Sequence, residues 1–323
     1  MQTKKPRKGF FKSVRMELQK NWQLYLLLII PVTYIIIFSY VPMAGLRIAF
    51  TNHRLAQGIW EADIHPQGAF HHFRTFLNNP RFWEMFNNTI ILSLYGMILN
   101  ALMPLLLALV VNNLVISKLK KTVQMVTYAP HFISAVVMVG ILTQIFGVRT
   151  GFINNFLFNM GFDRIDFFAR PGMFRHMFTW SDVWQSNGFR AVIYIAALAG
   201  IDPQQHEAAV MDGASRLKRI WHIDLPGIIP TFMILLILST GGILNNGAAR
   251  VILFQNPLNI STSRVIDSYL FERGLGMGVP GAGGAVPQLA YAAAVGMTQS
   301  LIGLVLVLAV NRLSKKLTST GLW

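Results

Sequence analysis

The chain has no cysteine, which excludes a disulfide framework and any thiolate metal centre. No nucleotide-binding motif occurs, so the chain cannot bind and hydrolyse ATP by a recognisable device of its own. Neither a Gly-x-Ser-x-Gly elbow nor a His-Glu-x-x-His helix is present, and no two carboxylates share an apolar run. The adjacent His71-His72 pair lacks the i, i+4 spacing that puts two ligands on one helix face. No carboxylate stands at a useful offset from it, and no metal site is expected. Acids are scarce, 13 against 28 Lys and Arg, for a formal charge of +15. No internal repeat is visible. These absences leave no basis for an enzyme and no resident cofactor.

What the chain does have is long apolar sequence. Of 323 residues 53% are hydrophobic and 13% charged, with a mean hydropathy of +0.47. That is too apolar for a soluble domain of this length. A helix needs about 20 apolar residues to cross a bilayer core, and six windows qualify: about 24–46, 86–111, 122–147, 176–200, 227–253 and 289–311. With the N-terminus inside, the cytoplasmic segments are 1–23, 112–121, 201–226 and 312–323. All eleven lysines fall in those segments, from Lys4 to Lys316. This positive-inside bias sets the orientation and accounts for the basic pI of about 10.4. A nucleic-acid partner is therefore not expected. The first apolar run is too long for a signal peptide and follows a basic tail, so it reads as a retained helix. In that tail Phe10, Val14 and Leu18 recur at helical spacing, suiting a short helix in the membrane interface. The expected architecture is an all-α membrane protein with six transmembrane helices and both termini cytoplasmic. Residues 24–311 form one domain, flanked by the tails 1–23 and 312–323. The outer loops 47–85, 148–175 and 254–288 read as irregular docking surface, the last rich in glycine around Pro280.

The polar segment 201–226 lies between two apolar runs. Asp202-Pro203, with Gln205 at the third helical position, predicts a capped helix start and a capping box. Glu207, Ala208 and Ala209 follow, and Gly213 can take the left-handed conformation at the helix end. A second helix is expected from about Ser215, before Leu225-Pro226 and Pro230 return the chain to lipid. Two alanines form a low surface for another protein, and Glu207 offers a charge to a basic partner. On local physics alone, a solvated amphipathic loop fits equally well.

The segment resembles the EAA signature of the inner-membrane permeases of bacterial ABC importers. In that signature Glu-Ala-Ala is followed by three residues, glycine, nine residues and Ile-x-Leu-Pro. Here stand Glu207-Ala208-Ala209, then Val-Met-Asp212, Gly213, nine residues, and Ile223-Asp-Leu225-Pro226. The Lys20-Asn-Trp-Gln-Leu-Tyr25 and Tyr128-Ala-Pro-His-Phe132 stretches make the chain similar to the polysaccharide and complex-oligosaccharide branch, which includes an alginate importer subunit. The resemblance implies a type I (MetI-like) permease fold and a bacterial inner-membrane location. It implies a second homologous permease as partner, two copies of an ATPase that holds the ATP and magnesium, and a solute-binding protein outside. Glu207, Ala208, Ala209, Asp212, Gly213, Ile223, Leu225 and Pro226 would then form the coupling element to the ATPase.

Candidate pathway residues come from polar positions in the spans, which are costly in lipid and usually face a cavity or a neighbouring helix. In the fourth span Trp180, Val183, Trp184, Asn187, Arg190 and Tyr194 fall on one helical arc. Ser239, Gly242, Asn246 and Arg250 share a face in the fifth, Ser93, Gly96 and Asn100 in the second, and Gly140, Gln144 and Gly147 in the third. Bonding between helices explains such residues without any ligand, and Arg250, near the outer interface, could snorkel there. The outer loops hold ten arginines against seven acids. With Arg190 and Arg250 the route is mildly positive and favours an acidic, alginate-like oligosaccharide, although acids on a docked binding protein would explain the loop arginines as well. An ion-coupled secondary transporter would want carboxylates in the membrane, and the spans hold only Asp182. A non-translocating membrane scaffold is the remaining alternative.

Overall fold

A computed structural model describes residues 19–276 and 287–318. The interfacial helix expected around Phe10, Val14 and Leu18, and the glycines from Gly278 to Gly284, lie outside the described residues. Within them the fold is helical, and the only extended pairing is an isolated bridge between Thr51 and Ile64.

Four long helices are apolar enough to cross a bilayer: α1 (Trp22–Phe50), α3 (Phe82–Asn112), α9 (Arg216–Gly241) and α13 (Leu289–Lys316, continuing to Thr318). They contain the first, second and sixth expected spans and the first half of the fifth. The short helix α2 (His71–Leu77) precedes α3 on the outer-loop side. The fourth expected span lies within α7 (Pro171–Ala199), which is long enough but carries too many polar residues to count among the apolar four.

Two expected spans are not single straight helices. The third divides into α4 (Ser117–Phe132) and α5 (Ala135–Phe146), set at 105° to each other. Pro130 lies in a tight terminal turn, Ile133 is extended, and the Ser134 hydroxyl accepts from Val137 N at 3.3 Å to start the next helix. Proline stops the first helix and serine caps the second. The fifth ends at Gly241, and the chain crosses Gly242–Gly247 without helix before α10 (Ala248–Phe254). Gly247 takes φ +71°, a conformation open to glycine at little cost. Ser239 and Arg250 therefore do not share one helical face, contrary to the expectation from spacing.

α6 (Phe152–Asn159), α11 (Ile260–Ser263) and α12 (Ile266–Leu275) fill the outer side. Buried asparagines organise the loops there. Asn154 donates to the carbonyls of Phe146, Gly147 and Ile165, and Asn88 donates to those of Ser261 and Arg264. Irregular backbone needs such partners wherever water is excluded.

α3 and α7 make the most extensive helix pair. At the lysine-rich end, Leu105, Leu109, Tyr194, Leu198 and Ile228 pack together with Ile201, Ile220 and Leu225. This cluster roots the polar segment in the bundle. By contrast, no residue of Trp22–Met43 in α1 is buried. That stretch stands away from the rest of its own chain, while the end of α1, Ala44–Phe50, packs on α13 and buries Ala49.

Candidate functional site

α3, α7, α9 and the broken stretch before α10 enclose a cavity of about 600 Å³. Its polar centre is Asp182. The Arg250 guanidinium donates to Asp182 Oδ1 at 2.7 Å and Arg190 donates to Oδ2 at 3.0 Å. Asn100 Nδ2 reaches the same Oδ2 at 2.9 Å, and Arg190 also donates to Asn100 Oδ1. Arg250 further donates to Ser181 Oγ at 2.9 Å and Gln185 Oε1 at 3.3 Å, with its guanidinium over the Phe178 ring at 5.3 Å. Two guanidiniums and one carboxylate leave this cluster a formal charge of +1. Arg250 does not snorkel to the interface; it is held inside by Asp182, because the break at Gly242–Gly247 turns α10 back against α7.

Of the expected pathway residues, Asn100, Arg190, Tyr194, Asn246 and Arg250 line this cavity. Trp180 and Trp184 are exposed on the opposite edge of the arc, Asn187 is partly buried outside it, and Gln144 is exposed on α5. Ser93 Oγ donates to Asn246 Oδ1 at 3.1 Å, while Asn246 Nδ2 is buried without a hydrogen-bond partner. Asp182, Ser181 and Gln185 were not among the expected site residues. The sequence signal was there: Asp182 is the lone acid of the apolar runs, which in low dielectric implies a nearby cation.

The second feature is the polar segment. The helix α8 (Pro203–Met211) begins at Asp202, whose Oδ1 accepts from Gln204 N at 3.0 Å. The return bond expected from Gln205 is not made, so the cap is single rather than a box. Gly213 has φ +73°, and Ala214 N donates to Ala209 O at 2.8 Å, which closes the helix in the left-handed manner expected. Ser215 caps α9 through Lys218 N at 3.4 Å. Ile223, Leu225 and Pro226 are not a separate return to lipid, since α9 runs on through a widened turn at Ile220–Asp224. Buried Asp224 Oδ1 lies 3.2 Å from His206 Nε2, close enough for an ion pair with a protonated ring but not aligned for a hydrogen bond, and Asn113 Nδ2 is 3.5 Å from Asp224 Oδ2. Thus α8, α9 and the end of α3 meet at one carboxylate.

No residue of α8 is buried. Glu207, Ala208 and Asp212 are exposed, and around them stand Met211 at 87% and Trp221 at 65% exposure. Large exposed apolar side chains beside a small-residue helix leave an apolar patch uncovered by the rest of the described chain.

Among the described residues no group of three His or acidic side chains could hold a metal. His65, His71 and His72 do cluster, with the His65 and His71 rings stacked at 3.9 Å. Burial and the neighbouring imidazole lower the pKa of His72 below its ordinary value.

Among the described residues, a strandless bundle of long apolar helices around a charged cavity, with an exposed polar segment at one end, defines the architecture of a membrane transport permease. Comparison with known proteins gives the family. The chain belongs to the binding-protein-dependent transport system inner membrane components, matched over residues 25–319. It is 35% identical over 306 residues to protein LplB of Bacillus subtilis (strain 168), covering 95% of this chain and 92% of the relative. It is also 35% identical to the polygalacturonan/rhamnogalacturonan transport system permease protein YteP of the same organism, over 97% of this chain and 94% of the relative. Among solved structures, a bacterial ABC transporter involved in import of the acidic polysaccharide alginate superposes with a TM-score of 0.82. The two are 33% identical, over 95% of this chain and 99% of that chain. The fold is the MetI-like permease fold, and the chain is an inner-membrane transport component rather than an enzyme.

Proposed function

We propose that the chain is the permease subunit of an ABC importer for acidic oligosaccharides, delivered by a solute-binding protein and driven by ATP hydrolysis on a separate subunit. Six spans follow from taking the bent α4–α5 pair as one crossing and α7 as another, with both termini cytoplasmic by the lysine distribution. α7 is tolerated in the membrane because its polar face lines a cavity.

The observation that carries the substrate reading is the cavity cluster. Arg190 and Arg250 share one carboxylate, leaving a net positive site in a low-dielectric bundle. Relatives named for polygalacturonan and alginate transport fit that polarity. Asn100, Tyr194 and Asn246 add the hydrogen-bonding groups that sugar hydroxyls require. Coupling is assigned to Glu207, Ala208, Ala209, Asp212 and Gly213 on the exposed α8, with Ile223, Leu225 and Pro226 joining it to the bundle. Two copies of an ATPase would each receive one such helix. The unburied stretch Trp22–Met43 of α1 is suited to cover a second, homologous permease, since lipid and a partner helix are the available neighbours for it.

The experiment is ATPase stimulation of the reconstituted importer with its binding protein, over neutral and acidic oligosaccharides of equal length. Acidic sugars should stimulate it more strongly, and Glu207→Lys should weaken ATPase association while insertion in the membrane persists. Equal stimulation by neutral and acidic sugars would remove the substrate reading. Full transport in Glu207→Lys would remove the coupling assignment.

A further inference from the structure

A second cavity, of about 690 Å³, opens on the outer face between the chain around Arg54, α2, α12 and the start of α13. Its charged lining consists of Arg54 and Arg273, joined by imidazoles, and no carboxylate lines it. Arg273 is placed rather than free: its guanidinium sits over the Tyr269 ring at 5.3 Å. Its Nε is buried without a hydrogen-bond partner, and no acid lies within ion-pair distance of it among the described residues. Neighbouring Arg264, by contrast, is paired with Glu272 at 3.5 Å. Beside Arg273, Asn79 Nδ2 donates to Tyr269 Oη at 3.1 Å, and Tyr269 Oη lies 3.2 Å from Tyr291 Oη. Hydroxyls and amides of this kind both donate and accept, as the hydroxyls of a sugar do.

An adjoining cavity of about 330 Å³ shares Asn79, Tyr269 and Arg273 with this second cavity and adds Arg81 together with the Arg264–Glu272 pair, whose carboxylate is already matched by its own arginine. Arg54, Arg273 and Arg81 therefore follow one another along connected concavities. We propose that these joined cavities are an outer receiving site for a uronate-containing oligosaccharide, separate from the cavity around Asp182. The proposal rests on the acidic-oligosaccharide reading above. Successive arginines suit a chain that carries a carboxylate on each ring. The larger cavity is of the 300–1,000 Å³ size that holds a small-molecule ligand, far more than one acidic side chain of a docked protein would fill. Such a site would keep a released glycan at the mouth while the inner cavity is closed.

The test uses the complete importer in lipid nanodiscs, without binding protein or nucleotide, and a fluorescent trigalacturonate with maltotriose as the neutral control. The parent should bind trigalacturonate in preference to maltotriose. Arg273→Gln should weaken that binding at least about tenfold, and Arg273→Lys should restore most of it. Arg54→Gln, at an exposed position, guards against a folding defect and should weaken binding by a smaller factor. Parent-like binding in both Arg273→Gln and Arg54→Gln overturns the site. So does unchanged trigalacturonate binding with weakened binding-protein affinity, measured by a parallel titration of binding protein onto the same nanodiscs, which would make the cavities a protein-docking surface. If acidic sugars still drive transport while these variants bind normally, only the outer site fails. If transport shows no acidic preference, the substrate reading itself fails.

Discussion

Replacing Asp182 with asparagine should destabilise the permease mainly through Arg250. The carboxylate contacts Arg250 at 2.7 Å and Arg190 at 3.0 Å. Unit charges about 4 Å apart interact by about 4 kcal/mol at an effective dielectric of 20, but exposure decides how much survives. The Arg190 side chain is 39% exposed, so its pair is screened and contributes about 1 kcal/mol or less. The Arg250 side chain is 15% exposed and Asp182 is 20% exposed, closer to the buried case. Removing one partner of a buried pair costs about 3–5 kcal/mol, because the other charge is left without compensation. Asp182→Asn should thus cost about 3–5 kcal/mol, and Arg250→Gln should cost less, since Asp182 keeps Arg190 and Asn100. The double variant Asp182→Asn/Arg250→Gln should be more stable than Asp182→Asn alone, with a coupling of at least about 2 kcal/mol. Thermal unfolding of the purified complex, followed by tryptophan fluorescence, reads this order. Unchanged stability in Asp182→Asn, or additive losses in the double variant, would refute the account.

Three further outcomes are expected. At Gly188, an added Cβ would overlap the Thr127 carbonyl and come within 2.9 Å of Tyr128 Cδ1. Gly188→Ala should therefore cost about 1–3 kcal/mol or more by forcing α7 from α4, read as a lower unfolding temperature, and parent-like stability would contradict this close packing. His206→Ala and Asp224→Asn should each lower sugar transported per ATP hydrolysed, because the contact ties α8 to α9. The double variant should be no worse than the poorer single, and an unchanged ratio would show the contact to be incidental. Finally, because burial lowers the pKa of His72, the unfolded chain binds more protons than the fold as pH falls below about 6.5. Stability present above that pH is lost on acidification, His72→Gln should flatten the loss between pH 7.5 and 5, and an identical pH profile in the variant would exclude His72 as its source.

Much was legible before any coordinates. Apolar run length revealed the membrane class, because a bilayer demands it of any helix that crosses. The course of the polar segment 201–226 was legible because its signals are local: Asp202 caps through the amide two residues on, and Gly213 adopts the positive φ that its lack of Cβ permits. The bent third span was less legible. An apolar run continuing to Phe146 has the same hydropathy whether straight or turned by 105°.

The pathway residues divide in the same way. Helical spacing selected Arg190 and Tyr194, which line the cavity, and it selected Trp180 and Trp184 equally, which lie outside it. A helical wheel gives the angles between residues but not the direction in which the wheel faces. Here that direction is set by Gly188, whose missing side chain lets α7 lie against the Thr127 backbone. The sequence by itself determined that the protein is a helical membrane permease with a capped polar segment between two apolar runs, because run length, charge placement and capping act over a few residues. Only the tertiary structure decided that Asp182, from one helix, stands between Arg190 and an Arg250 carried back by the break before α10. Long-range electrostatic pairing depends on where helices end and how they are rotated, and neither is encoded in local spacing.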